Sequence, residues 1–520
     1  MSNDTLRQIH QRGRLLIDRP SAVKVCLLAA YWGFTLLALL PATGRWLPLL
    51  ATLAVSSVAL WFGPLGLIEP SGRQKWYDPA TLFNSAAFYY CAKGITLATS
   101  TDLYYLRGMT YAQVQMLYPV SCALVMLGLL AWNLAYQVGL SEKRSELKRV
   151  RSYPAGDMFH SLNGTSLSRG VLLLSLVGVA SLVGYFVSSG YSVPYLLAHP
   201  LSFRLGYTLP TGVRSPLAQL FRFGSYAFPV ASLLWLTQLE RQPKKVKVAW
   251  CAHATLGTFV YFVYGGRTDI LGFGISAAVL AELVIRPIPV RWFIPLGLAG
   301  AAFAYLIHAW RLVTGTGRQT GIADMLSRLQ SHLDLTAFAH FLSGTDLVDI
   351  RIYPLILHVY GNPFGGGTGL EFGGTLLRSL SALIPRFLWP EKPVDLGLQV
   401  ARLYEGTNAI AGTPPGFFPE MFMNFHIAGV IAGGALLGLA LGSLYRECLK
   451  TRRSVIGAVV YAVVASRIPV IPSGTLGNIV VVLLILLSLA AVGLVVSGVH
   501  KVTYENADAA QTDTPPQQSA

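Results

Sequence analysis

The sequence predicts an all-α, polytopic helical membrane protein, and three observations carry that prediction. Only 12% of the 520 residues are charged, against 53% hydrophobic, where soluble proteins carry about 25% charge. Mean hydropathy is +0.52. Apolar runs close to the roughly 20 residues needed to cross a bilayer recur throughout, for example around 435–441 and over 479–496. The many short alternating segments of a membrane barrel are not seen.

The elements follow in order. Residues 1–22 form a polar lead carrying Arg7, Arg12, Arg14 and Arg19, too long and too charged for a cleaved signal peptide. About twelve spans then read roughly as 23–41, 46–68, 82–100, 114–139, 169–189, 224–239, 248–265, 268–285, 291–311, 423–445, 454–471 and 476–498. Residues 23–311 thus make a first bundle of nine spans, and 423–498 hold the last three. Two long segments interrupt them, 190–223 and 312–422, and 499–520 is a polar tail with the composition of disorder.

The net charge of +16 suggests nucleic acid until its distribution is examined. Lys143, Arg144, Lys148, Arg149 and Arg151 follow the fourth span, and Arg241, Lys244, Lys245 and Lys247 follow the sixth. Arg286 follows the eighth, and Arg446, Lys450, Arg452 and Arg453 the tenth. All are even-numbered exits, on the side of the basic N-terminus. The positive-inside rule makes both termini cytoplasmic and excludes a nucleic-acid role for the charge. The segments 190–223 and 312–422 then lie on the outer face. The five cysteines fall in or beside apolar spans without metal spacing, so no metal site is expected.

A loop of 111 residues (312–422) needs a reason. Apolar residues at three- and four-residue spacing predict short helices over 322–333 and 347–359. Its cations are mainly arginines: Arg318, Arg328, Arg351, Arg378, Arg386 and Arg402 against Lys392 alone. Arg204, Arg214 and Arg222 lie in the shorter loop. Guanidinium forks match phosphate oxygens and stay charged when partly desolvated. Such a set suits an anionic ligand, and each arginine taken alone also suits a local carboxylate or a lipid head group. Arg267, in a tight hairpin between spans, is either a functional cation at membrane depth or a turn-closing partner of Asp269. Both roles are compatible.

Acid–base candidates are Glu420, which helical spacing places beside Asn424, then Asp349, Glu371, Asp395, His332, His340 and His358. Glu420 also suits a helix dipole, and His358 a structural place on an apolar face. There is no Walker-type Gly-x-x-x-x-Gly-Lys-Ser/Thr, no His-Glu-x-x-His and no Gly-x-Ser-x-Gly, so no cofactor is expected. No internal repeat of the kind common in transporters is visible.

Two runs carry a resemblance. Ile384-Pro-Arg-Phe-Leu-Trp-Pro-Glu-Lys-Pro393, then Pro415-Gly416 and Glu420-Met-Phe-Met-Asn-Phe-His-Ile-Ala-Gly429, resemble the C-terminal half of bacterial oligosaccharide-repeat-unit polymerases, the Wzy type of O-antigen polymerase. Family members often show Pro-Arg-x-x-Trp-Pro-x-Lys-Pro, then Gly-Glu-x-x-x-Asn-Phe-Gly. Pro419 stands here for the first glycine and His426 for the last. The match covers about 50 residues.

The resemblance implies a GT-C-like membrane glycosyltransferase of the bacterial inner membrane with a periplasmic active site. Its donor and acceptor would be undecaprenyl-pyrophosphate-linked oligosaccharides, and its product O-antigen, capsular or exopolysaccharide. Membrane lipid, a chain-length regulator (co-polymerase) and a flippase would be its partners. Carried over by position, Arg386 and Lys392 come from the first run, and Glu420 and Asn424 from the second. Combined with the residue-level reading, the expected catalytic set is Glu420, Arg267 and Arg386. The expected pyrophosphate or substrate set is Arg214, Arg351, Lys392, Asn424 and His358. Arg386 instead caps a helix over 375–383 in the alternative reading. An O-antigen ligase, using a histidine of the long loop, and a flippase or transporter of lipid-linked sugars are the competing functions.

Overall fold

The computed structural model describes residues 22–39, 46–68, 75–95, 109–141, 164–189, 216–240, 242–263, 267–285, 287–289, 292–314, 350–361, 370–381, 396–406, 412–450 and 455–474, with single positions at 330, 336, 338, 341, 389, 391 and 393. Among these residues there is no strand. The α-helices are α1 (Ala22–Leu39), α2 (Trp46–Phe62), α3 (Pro79–Ala92), α4 (Tyr111–Ser141), α5 (Gly164–Ser189), α6 (Pro216–Ser225), α7 (Ala227–Leu236), α8 (Lys244–Val263), α9 (Arg267–Val284), α10 (Phe293–Thr314), α11 (Tyr353–Tyr360), α12 (Gly374–Ser381), α13 (Leu396–Glu405), α14 (Phe417–Lys450) and α15 (Val455–Arg467). Helices thus occupy eleven of the twelve stretches read as spans; the twelfth, 476–498, lies outside the described residues. Among the described residues, four helices are long and apolar enough to cross a membrane: those over Trp46–Gly66, Tyr111–Leu140, Ser168–Ser188 and Phe417–Cys448.

The centre of the bundle is the pair α4 and α14, and small residues make it. Gly434, Gly438 and Gly442 repeat at four-residue spacing and so share one helix face. A Cβ on Gly434 would lie 2.6 Å from the Gly128 carbonyl oxygen, and one on Gly442 would lie 2.6 Å from that of Tyr136. A Cβ on Gly438 would collide with the Trp132 carbonyl. In lipid, where apolar burial gives helices no reason to associate, such close backbone approach supplies the attraction. Residue numbers rise together along the two helices, so they run parallel. Numbers oppose along α5 against α6 and α7 (Gly184 with Phe221, Gly178 with Phe228) and along α9 against α15 (Asp269 with Arg467). These relative directions agree with the alternation read from the basic clusters.

Polar pairs fix the register around this centre. Asn84 on α3 and Asn133 on α4 exchange amide hydrogen bonds of 2.9 and 3.1 Å. Tyr136 donates to Asp78 Oδ1 at 2.5 Å, and the same oxygen caps α3 by accepting from the Ala80 N–H. Tyr461 on α15 donates to the Tyr77 carbonyl at 2.6 Å. Pairs of this kind contribute about 0.6–2 kcal/mol each within a membrane. Phe83, Trp132 and Tyr136 stack beside them, with centroids 4.4 and 5.2 Å apart.

Two departures from the sequence-based expectation concern the region of interest. First, α14 does not run unbroken from its start into a span at 423. Phe425 (φ −140°, ψ 20°) and His426 (φ 57°, ψ −148°) leave helical geometry, dividing a short limb, 417–424, from a long one, 427–450. In a continuous helix residues 421 and 429 would sit about 12 Å apart. Here a Cβ on Gly429 would strike the Met421 carbonyl oxygen, and one on Gly433 would meet the Met421 side chain. The short limb is therefore folded back along the long one as a helical hairpin. The long limb alone still spans about 36 Å at the usual rise.

Second, the segment predicted as an amphipathic loop helix over 347–359 is the turn Ile350–Ile352 followed by α11, and it is buried. Ile350, Ile352, Tyr353, Ile356 and Leu357 have no exposure, and the segment lies against α4 and α14. The helix predicted over 322–333 lies outside the described residues.

Candidate functional site

Glu420 sits in the first turn of α14, behind Gly416 and Pro419. Gly416 has φ 93°, and a Cβ there would lie 2.8 Å from the Pro472 carbonyl and 3.0 Å from the Tyr90 hydroxyl. Glycine is required at so close a passage. The chain then turns directly into the short limb, which carries Glu420 into the bundle with no exposure at all.

A buried carboxylate must find partners, and the turn before α12 supplies them. Thr375 Oγ1 donates to Glu420 Oε1 at 3.0 Å. Asn424 Nδ2 donates to Thr375 Oγ1 at 2.5 Å and to the Glu420 carbonyl at 2.7 Å. Asn424 Oδ1 in turn accepts from the Gly373 N–H at 3.0 Å and the Thr375 N–H at 3.4 Å. The Glu371 N–H donates to the Met423 carbonyl at 3.0 Å. Glu420, Asn424 and Thr375 form one polar node, and the turn 371–375 is tied to the short limb along its length.

A second polar group gathers around the first residue of this turn, Glu371. Arg378 pairs with Glu371 Oε2 at 2.9 Å and donates to Gln399 Oε1. Gln399 Nε2 donates to Glu371 Oε1 at 3.2 Å and to the Tyr360 hydroxyl at 3.1 Å. These side chains come from α11, the turn, α12 and α13. Burial, reinforced by the Glu371 charge, holds the Tyr360 phenol above its ordinary pKa, so it stays an O–H group.

Of the residues expected from sequence, Glu420 and Asn424 are together, as their four-residue spacing requires. Arg351 is buried within Ile350–Ile352. His358 is the one exposed residue of α11. Arg214, Arg386, Lys392, His332 and His340 lie outside the described residues, as does the Arg267 side chain, although Arg267 begins α9. Asp269 pairs with Arg467 at the end of α15, at 2.7 Å; its expected turn contact with Arg267 lies outside the described residues.

Sequence reasoning missed Thr375, Gln399 and Arg467. Thr375 and Gln399 reach their partners only through tertiary folding, and Arg467 ends a span with no motif around it. Among the described residues, no three His, Cys, Asp or Glu side chains gather as a metal site would need. Comparisons of the chain with protein-family models, with curated proteins and with solved structures each return no match.

Proposed function

We propose that this protein polymerises polyprenyl-pyrophosphate-linked oligosaccharide repeat units at the outer face of a bacterial inner membrane, with both termini cytoplasmic. One observation carries the reading most. Glu420 and Asn424, from the run that resembles the polymerases, are joined with Thr375 in one buried node beside a break in the helix that holds them.

In the proposed reaction the anomeric C–O bond to pyrophosphate breaks while a hydroxyl of the next lipid-linked unit bonds to that carbon. Glu420 accepts the hydroxyl proton, and the polyprenyl pyrophosphate leaves as an anion. Pyrophosphate is already a good leaving group, so positioning and positive charge supply most of the acceleration. Arg351 is the cation of the expected pyrophosphate set whose side chain is described, with Arg214, Arg267, Arg386 and Lys392 as further contacts. Glu420 is fully buried as it stands, so the acceptor reaches it when the short limb swings about Phe425 and His426. His358, exposed on α11, is assigned to acceptor binding. A chain-length regulator and a flippase are the partners this activity calls for.

The test is reconstitution in vesicles with the purified lipid-linked repeat. Laddered products that disappear with Glu420→Gln support the proposal. Transfer of a single unit to a lipid-A core, or lipid translocation without any new glycosidic bond, would replace it with the ligase or the flippase.

A further inference from the structure

The turn that closes the Glu420 node also displays an aromatic ring. Phe372 is 75% exposed and has φ 42°, one of two positive values for non-glycine residues among those described. Such a conformation persists only where its surroundings enforce it, and here they do. The N–H groups of Glu371, Gly373 and Thr375 are all held by Met423 or Asn424, and the Gly374 N–H bonds the Glu371 carbonyl at 2.7 Å.

Next in sequence to this ring lies the mixed polar group already described. Glu371 and Arg378 keep 17% and 25% of their side chains exposed, and Gln399 is half-buried. Their formal charges cancel. A phosphate would gain from Arg378 and lose to Glu371, and an acyl chain has no use for a carboxylate, a guanidinium and an amide. A neutral polyol suits all three, because each hydroxyl both donates and accepts. A flat apolar face with a few fixed polar groups around it is how a small, mostly neutral ligand is oriented.

We infer that Phe372, Glu371, Arg378 and Gln399 form a sugar-binding subsite that seats one pyranose ring of the lipid-linked oligosaccharide beside the Glu420 node. This rests on the polymerase reading for the origin of the sugar, and it assigns that sugar's position. Phe372 is three residues from Thr375, so their Cα atoms lie within about 11 Å. A ring seated at Phe372 is held by the same turn that bonds Glu420, and movement of the short limb shifts both.

The experiment uses the full chain in nanodiscs and saturation-transfer NMR with a panel of methyl glycosides of neutral hexoses and N-acetylhexosamines. Transfer to at least one glycoside is expected from wild type. It should fall at least about tenfold in Phe372→Ala, Phe372→Leu and Gln399→Ala, and persist in Phe372→Trp. Phe372→Leu is the decisive variant, since it keeps apolar contact with lipid and loses the aromatic face. Wild-type transfer in Phe372→Leu would make the ring a lipid contact and overturn the inference, as would no transfer from wild type to any glycoside. The readout uses no lipid-linked donor. Glycoside binding in a protein that makes no ladder would therefore sink the polymerase and leave the subsite standing, and ladders without glycoside binding the reverse.

Discussion

Phe372 and His426, 54 positions apart in sequence, are brought close through their chain neighbours. They are the non-glycine residues with positive φ among those described, and Gly373, next to the first, meets Phe425, next to the second. The Phe425 ring faces Gly373, where a Cβ would lie 3.6 Å from its Cζ, and Asn424 accepts from the Gly373 N–H. Backbone strain of about 1–3 kcal/mol per residue is tolerated where structure over-determines it. Its concentration beside Glu420 marks this spot as one held against local preference.

The strain gives a first prediction. His426 stands where the resembling polymerases often carry glycine, at φ 57° and ψ −148°, a conformation open to glycine. His426→Gly removes the strain and loses the ring contact with Phe422, whose centroid is 4.5 Å away. The expected net effect is stabilisation of about 1 kcal/mol, read as a higher midpoint in detergent unfolding. His426→Val, β-branched at positive φ, should lower the midpoint by about 2 kcal/mol. Equal midpoints for the two variants would mean that the break is not strained.

Glu420 separates a structural from a chemical role. Glu420→Ala leaves Thr375 Oγ1 without its acceptor in a fully buried place, a loss of about 1–3 kcal/mol. Glu420→Gln keeps an acceptor oxygen and should fold nearly as wild type. If the carboxylate takes a proton, Glu420→Gln also loses polymerisation by about 100-fold or more. Full activity in a well-folded Glu420→Gln would reduce the residue to a strut.

How much of this was legible in the sequence depends on distance along the chain. The pairing of Glu420 with Asn424 follows from helical period, and hydropathy located the helices. Nothing local announces the break, because Phe425 and His426 are neither glycine nor proline, and the flanking residues are apolar enough to read as one span. Thr375 reaches Glu420 from 45 positions away. Asp269 meets Arg467 from 198 positions away, because helix packing decides which distant charge is presented. Residues 347–359 read as a short helix from their apolar spacing, and 350–357 are buried throughout, since periodicity reports where apolar residues fall and not how many surfaces cover them.

That long-range ion pair supplies a third prediction. The side chains are 8% and 21% exposed, so removing one partner strands the other in a poor solvent. Arg467→Ala and Asp269→Asn should each destabilise by about 3–5 kcal/mol. The double variant Arg467→Met with Asp269→Leu should recover much of the loss. A double-mutant cycle built from Arg467→Ala, Asp269→Asn and the two combined measures the coupling, and simple additivity would show that the pair adds little.

The interface of α4 with α14 is testable residue by residue. Gly438→Ala drives a methyl into the Trp132 carbonyl, and Gly434→Ala and Gly442→Ala meet backbone oxygens at 2.6 Å. Each should cost about 1–3 kcal/mol as the helices are forced apart. Gly297→Ala on α10, where nothing lies within 4 Å, should be neutral or stabilise by up to about 1 kcal/mol. Loss of stability at Gly297 with none at Gly438 would mean that α4 and α14 do not pack in this register.

Sidedness underlies the proposed chemistry, because flipped substrates reach only the outer face. Glu391 is exposed within the run that resembles the polymerases, and among the native cysteines Cys91, Cys122 and Cys448 are buried. Cys26 and Cys251 are exposed on apolar helices, where a lipid environment keeps a charged maleimide away. A Glu391→Cys variant should therefore label rapidly with a membrane-impermeant maleimide added to intact spheroplasts, while wild type stays dark. Labelling of Glu391→Cys only after the membrane is broken would put this segment in the cytosol, where no flipped donor arrives, and the polymerase reading would have to be abandoned with it.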